Sequence, residues 1–367
     1  MYNRMHVITP ESEKFLQQYL NNASPTGFEA SGQQLWLKYL QPYIDEWKLD
    51  TYGTAYGIIN PGKDFKVVIE GHADEISWFV NYITDDGFIH VIRNGGSDHM
   101  IAPSMRVHVH LRKGGTVEGV FGWPAIHTRN EKESNNMPAL DNITIDLGAK
   151  DREEVLKMGV HVGCVVTFQD TFTVVNNRYY CGRALDNRIG GFCVAEVARL
   201  LKENKDELPF TLYVVNSVQE EVGLRGAEMV AETIKPNVAI VTDVTHDTHT
   251  PMINMKKHGD VRAGNGPSVT YAPAVHNKLL DLIIDTAEEK SIPFQREAAS
   301  RYTGTDTDAF AYSGGGIPSA LISLPLRYMH TTVEMAHKDD VNNLIRLIYE
   351  LLKKINTSHD FRYFNKL

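Results

Sequence analysis

Cysteine is scarce in this sequence. There are three in 367 residues, Cys164, Cys181 and Cys193, and no Cys-x-x-Cys pair. So sparse and odd a set builds neither a disulfide frame nor a thiolate zinc site, and it points to a reducing, cytoplasmic compartment. Long apolar runs are missing too. No stretch reaches the roughly 20 uninterrupted apolar residues that a membrane helix needs. The N-terminus carries Arg4, Glu11 and Glu13 and lacks the apolar centre of a secretory signal. No block of Lys or Arg occurs: 37 basic residues against 46 acidic ones leave a net charge of −9, which argues against a nucleic-acid surface. The absence of a Gly-x-Ser-x-Gly elbow speaks against a serine hydrolase. Internal repeats and low-complexity tracts are also absent.

What is present is an ordinary globular balance, 42% hydrophobic and 23% charged, with apolar mass for a full core. At about 150 residues per domain, the length suggests two domains or one large one. The first 45 residues read as two helical segments broken at Ser24-Pro25-Thr26-Gly27. From Ile76 to about Asn176 the texture is different, with short β-rich runs punctuated by Gly87, Gly95-Gly96, Gly114-Gly115 and Gly163. Within it Val107, Val109 and Leu111 alternate with His108 and His110, the period-2 pattern of a half-buried strand. Such spacing predicts a small barrel or sandwich. The polar stretch 130–136 reads as an exposed loop.

After Arg183 strands and helices alternate, with a helix over 187–202, a strand buried on both faces at 210–215 and a strand at 238–241. Further on come a helix over 274–289, a strand at 319–323 and a closing helix over 341–355. The fold class expected is α/β, a mixed sheet flanked by helices, with an inserted β-rich, barrel-like domain. Residues 1–75 and 177–367 would form the α/β part, and residues 76–176 the insert.

Chemistry collects at strand ends, where open α/β sheets place their sites. His72 follows the strand 66–70 within Gly71-His72-Ala73-Asp74-Glu75. One ring nitrogen could bind a metal while Asp74 accepts the other N–H. Alone, a histidine there is more often structural. Asp186 opens a helix, so a capping carboxylate is the plain alternative to a ligand bridging two cations. Glu220 and Glu221 follow the apolar strand 210–215. As neighbours they point different ways, which suits one ligand and one base. Asp243 lies at the end of Val238–Thr242, and His330 lies in Arg327-Tyr328-Met329-His330. His108, His110, His127, His246 and His249 are read as exposed or core histidines, and the cysteines as packing residues. Two histidines and three or four acids without thiolate suit Zn²⁺, Co²⁺ or Mn²⁺ in a hydrolytic two-metal site.

These residues lie in strings that carry a family resemblance from about Glu11 to Ile355. They are Ser24-Pro25-Thr26-Gly27-Phe28-Glu29, Gly71 to Glu75, Ala184-Leu185-Asp186-Asn187-Arg188, Gln219 to Ala227, Thr242-Asp243-Val244-Thr245, Gly304-Thr305-Asp306, and Pro325 to Thr331. Together, in order, the chain resembles the M42 metallo-aminopeptidases, the glutamyl and tetrahedral (TET) aminopeptidase group, some of whose members bear an endoglucanase label. The resemblance implies two divalent metal ions, zinc or cobalt, with manganese a third candidate. It assigns His72 and Asp243 to one metal, Glu221 and His330 to the other, and Asp186 to both. Glu220 would be the general base and Asp74 would orient His72. The substrates implied are peptides with a free N-terminus. The insert would be the dimerisation domain of a homo-oligomer, dimer or dodecamer. The chain departs from many relatives in having Asn187 where they have a second aspartate, and in Trp123 to Arg129. The alternatives are a deacylase or dipeptidase on the same metal site, a metal-free glycosidase, and an inactive oligomeric scaffold.

Overall fold

In the computed structural model, residues 7–129 and 137–364 are described. The expected loop 130–136 lies outside the described residues. Seventeen strands among them are, in chain order, β1 (Glu46–Leu49), β2 (Ala55–Ile59), β3 (Lys66–His72), β4 (Ser77–Ile83), β5 (Ile89–Asn94), β6 (Arg106–His110), β7 (Thr116–Phe121), β8 (Ile145–Asp146) and β9 (Val165–Phe168). The chain continues with β10 (Thr173–Val175), β11 (Tyr179–Gly182), β12 (Thr211–Ser217), β13 (Val238–His246), β14 (Ser268–Tyr271), β15 (Gln295–Ala298), β16 (Ser319–Arg327) and β17 (Glu334–His337).

Strands β4 to β9 close into a barrel in the order β4-β5-β8-β7-β6-β9. Its core is its own: Trp78, Val80, Ile89, Val107, Val109, Phe121 and Ile145 are buried together. The remaining eleven strands make one mixed sheet, ordered β1-β2-β12-β3-β13-β16-β17-β11-β10, with β14 and β15 branching from β16. At its centre β12, β3, β13 and β16 are parallel, and antiparallel strands flank them. The expected mixed α/β sheet with an inserted barrel is what the chain forms.

The first halves of the central strands are mainly apolar because both faces are covered, and the polar residues gather toward their carboxyl ends. The helix Leu185–Asn204 is buried along nearly its whole length and packs across β3. Its approach is close: a Cβ at Gly71 would stand 2.6 Å from the Gly190 and Gly191 backbone, so the helix seats only on glycine. The helices Pro10–Asn21, Ala30–Leu40 and Lys338–Lys354 pack on that buried helix. Arg225–Ile234 and Asp306–Tyr312 pack on each other, the first against β12 and the second against β13 and β16.

Two strands run further than their apolar runs suggested. The ladder of β13 with β16 continues through His246↔Leu326, which carries both strands past the positions 241 and 323 where the sequence reading stopped. On its other side β13 pairs with β3 only as far as Val241↔Glu70. Asp243 is therefore inside a strand, not at its end, just beyond the point where β13 and β3 part company. That parting opens the crevice of the next section.

Candidate active site

The four parallel strands all send their carboxyl ends to one edge of the sheet. His72 is the last residue of β3; Glu220 and Glu221 lie in the short turn after β12. His330 comes three residues after β16, and Asp243 is in β13 where its neighbour has diverged. Asp186 enters from the start of the buried helix Leu185–Asn204. It does not cap that helix: the backbone of Asp186 and Asn187 is non-helical, and it is Asn187 Oδ1 that accepts the Gly190 N–H at 3.1 Å. The Asp186–Asn187 peptide bond is cis.

These side chains converge. Asp186 Oδ1 is 3.3 Å from His72 Nε2, and Asp186 Oδ2 is 3.1 Å from His330 Nε2. The two oxygens of one carboxylate thus face different histidines. Asp243 Oδ1 lies 4.0 Å from His72 Nε2, and Glu221 Oε1 lies 3.6 Å from His330 Nε2. Glu220 Oε2 approaches His72 Nε2 at 3.8 Å. Three overlapping groups have ligand atoms within 4.8 Å of one another: His72 with Asp186 and Asp243, Asp186 with Glu221 and His330, and His72 with Glu220 and Glu221. The first two share Asp186. The other histidines read as bland, and the cysteines, stay outside these groups among the described residues.

A second layer holds these groups. Asp74 accepts the backbone N–H of Glu220 at 3.0 Å and of Glu221 at 3.2 Å, and the Thr26 hydroxyl at 2.9 Å. Its Oδ1 also lies 3.3 Å from His72 Nδ1, without the alignment of a full hydrogen bond. Asp74 therefore ties the turn of the two glutamates to the His72 ring, and Thr26 explains part of the Ser24-Pro25-Thr26-Gly27 string. Glu334 does the same on the other side, accepting the N–H of Asp186 at 3.1 Å and of His330 at 2.8 Å. Sequence reasoning missed Glu334. Its one signal was its place four residues after His330, which a surface acid shares.

Behind His72, the Ser217 hydroxyl lies 2.6 Å from Glu70 Oε1 and 2.5 Å from Asp306 Oδ2. One hydroxyl proton cannot serve both, so one of these carboxyls keeps its own. Burial raises the pKa of each. Asp306 belongs to the matched Gly304-Thr305-Asp306 string, which carried no role at the sequence level.

Electrostatics show what this cluster wants. Burial, with neighbouring acids, pushes Glu221 and Asp243 up to about 8 and Glu220 up to about 11. Burial would lower the histidines, but Asp186 prevails and lifts His330 to about 9, and Asp186 with Asp74 holds His72 well above its ordinary value. Burial likewise opposes the low pKa of Asp186, which both histidines impose. Four acids face two histidines here, and no Lys or Arg pairs with them among the described ion pairs. Glu221 Oε1 and His72 Nδ1 are buried without a hydrogen-bond partner. Buried acids in excess, with such orphaned atoms, lack positive charge. Imidazole nitrogen and carboxylate oxygen are the donors that divalent zinc, cobalt or manganese take. The residues fit a metal centre.

The backbone around the cluster is strained. Ala184, Gln219, Leu224, Tyr328 and His330 all have φ between 57° and 63°, in the left-handed region that costs a non-glycine residue of order 1 kcal/mol. The barrel contributes glycine instead. A Cβ at Gly96 would stand 2.8 Å from the His330 ring, so the loop after β5 leaves that ring its space.

Comparison with known proteins identifies the family. The sequence profile of the M42 glutamyl aminopeptidases matches residues 53–347. The lysyl aminopeptidase of Pyrococcus furiosus is 33% identical over 346 residues, covering 93% of this chain and 97% of that one. Among solved structures, the TET aminopeptidase of the marine sediment archaeon Thaumarchaeota archaeon SCGC AB-539-E09 superposes with a TM-score of 0.90 at 30% identity, covering 95% of this chain and 98% of that one. The Pyrococcus horikoshii TET1 peptidase, which can assemble into a tetrahedron or a large octahedral shell, has a TM-score of 0.80 at 26% identity, with 93% and 98% covered. A profile spanning most of the chain, joined to one-third identity along nearly all of a named aminopeptidase, establishes that this chain belongs to the M42 glutamyl aminopeptidase family of peptide hydrolases.

Proposed function

We propose that the chain is a dinuclear-metal aminopeptidase that releases N-terminal residues from peptides. The observation that carries this reading is the pair of 3.3 and 3.1 Å approaches from the two oxygens of Asp186 to His72 and His330. In it His72 and Asp243 hold one ion, Glu221 and His330 the other, and Asp186 both. Zinc or cobalt is expected, with manganese a third candidate. When bound, such a pair would supply Lewis acidity to polarise a peptide carbonyl and to lower the pKa of water.

The rest of the chemistry belongs to the chain. Glu220 Oε2 removes a proton from the attacking water and returns it to the departing amine nitrogen. For that it must be ionised, which positive charge beside it restores against burial. Asp74 positions this base through its backbone N–H and fixes the His72 ring. Glu334 holds Asp186 and His330 in register. A deacylase or dipeptidase on the same centre is separated by comparing free with acetylated N-termini. A metal-free glycosidase leaves the two histidines unexplained, and chelator sensitivity separates it.

Glu220→Gln is the test of the base. It should retain its metals and lose about 10²–10⁴-fold in kcat. Near-normal turnover in that variant removes Glu220 from the role.

Assembly is part of the same reading. In this reading residues 1–75 and 177–367 form the catalytic part, and the insert 76–176, whose barrel strands run from Ser77 to Phe168, would be a dimerisation domain. Exposed Phe88, Ile92, Val120 and Ile126 on this part of the chain suit such contacts. The product would be a cytoplasmic homo-oligomer; no helix among the described residues is long and apolar enough to cross a membrane.

A further inference from the structure

Beside the metal cluster opens a cavity of about 730 Å³. At its inner end stand Glu220, Glu221 and His330, so whatever fills it lies against the reacting groups. Glu221 is the deep member: 6% of its side chain is exposed, and its Oε1 has no hydrogen-bond partner. The remaining walls are of two kinds. Leu224, Ala309 and the exposed rings of Tyr302 and Tyr312 form an apolar and aromatic lining, while Glu228 and Asp308 supply carboxylates. No Lys or Arg lines it.

We propose that this cavity receives the side chain of the substrate's first residue and selects lysine or arginine there. The proposal rests on the aminopeptidase reading and adds its substrate class. Lysine and arginine are long apolar stems ending in a cation. The stem suits Leu224 and Ala309, and the rings of Tyr302 and Tyr312 offer faces that attract a cation. Asp308 is held rigid, accepting the N–H of Thr303 at 3.0 Å and of Gly304 at 3.1 Å. It is 8% exposed, and no cation is paired with it among the described ion pairs. Glu228 does have a partner, Arg225 Nη1 at 3.2 Å, but both side chains are half exposed. Such a pair is weak and yields to a desolvated ligand. Carboxylates outnumber cations here, Glu220, Glu221, Glu228 and Asp308 against His330 and the Arg225 paired with Glu228, so a glutamate or aspartate side chain is disfavoured.

Lysyl, arginyl, norleucyl and glutamyl p-nitroanilides on the metal-loaded enzyme test this, with binding of the corresponding free amino acids followed by calorimetry. Norleucine matches the lysine stem without its ammonium. The lysyl and arginyl substrates should exceed the norleucyl one by about two- to fivefold in kcat/KM, the yield of one partly exposed charge contact. The glutamyl substrate should be slowest, and added salt should shrink the lysine advantage. Free lysine should bind more tightly than norleucine. Glu228→Gln and Asp308→Asn should each lower the lysyl-to-norleucyl ratio, chiefly through KM; the asparagine can still accept from Thr303 and Gly304. Preference for norleucyl or glutamyl substrates, or a ratio that neither variant moves, overturns the proposal and leaves the aminopeptidase reading intact. Failure to hydrolyse any of the four removes that reading and the proposal with it.

Discussion

At the residue scale, Asn187 shows what one atom contributes next to the shared carboxylate. Its Nδ2 donates to the Thr242 carbonyl at 2.7 Å, its Oδ1 accepts from Gly190 N–H at 3.1 Å, and it is 1% exposed. An aspartate has no donor for Thr242. Asn187→Asp should therefore destabilise the metal-free protein by about 1–3 kcal/mol, read by denaturant unfolding. The protonation of the cluster gives a second prediction. Without metal, Glu221 and Asp243 keep their protons to about pH 8, and His330 remains charged to about 9. Metal ligands must be deprotonated, so uptake releases protons and affinity rises with pH from 6 to 9. Calorimetric titration in buffers of different ionisation enthalpy measures that release. Affinity that falls over this range would contradict the assignment. Which residues carry chemistry was legible where type and position agreed: His72, Glu220 and Glu221 followed apolar strands close to a glycine, and Asp186 opened a helix. Glu334 and Glu70 were not legible, because Glu334 acts through the backbone N–H groups of Asp186 and His330 and Glu70 through the buried Ser217 hydroxyl, contacts that no side-chain pattern in the sequence displays.

At the scale of elements, the site depends on where strands separate. The sequence located β13 but not its length, since its last residues read as polar while their ladder to β16 continues. What ends is the ladder to β3, and a pairing partner from another part of the chain cannot be read from local pattern. The barrel's six strands were legible from alternation and glycine spacing, yet their reach into the site was not. Gly96 is that reach. Gly96→Ala would bring a methyl group to 2.8 Å from the His330 ring, closer than carbon contacts allow. The variant should fold and bind the metal at Glu221 and His330 about 10–100-fold more weakly, with the His72 and Asp243 position less affected. Sequential metal titration checks this; two unchanged binding steps would show that the loop after β5 has no part in the centre.

For the whole molecule, the sheet and the barrel have separate cores. If the barrel joins protomers, light scattering should give a mass that is a multiple of 41.3 kDa, and charged replacements at Val120 and Ile126 should lower it while leaving the metal centre loaded. A protein that stays monomeric at micromolar concentration excludes that role. The central claim is that one carboxylate serves two cations, and metal stoichiometry tests it most directly. Stripped protein titrated with Zn²⁺ or Co²⁺ should take up two ions per chain, and Asp186→Ala should take up neither with high affinity. Two ions bound as tightly in that variant as in the native chain would contradict the account.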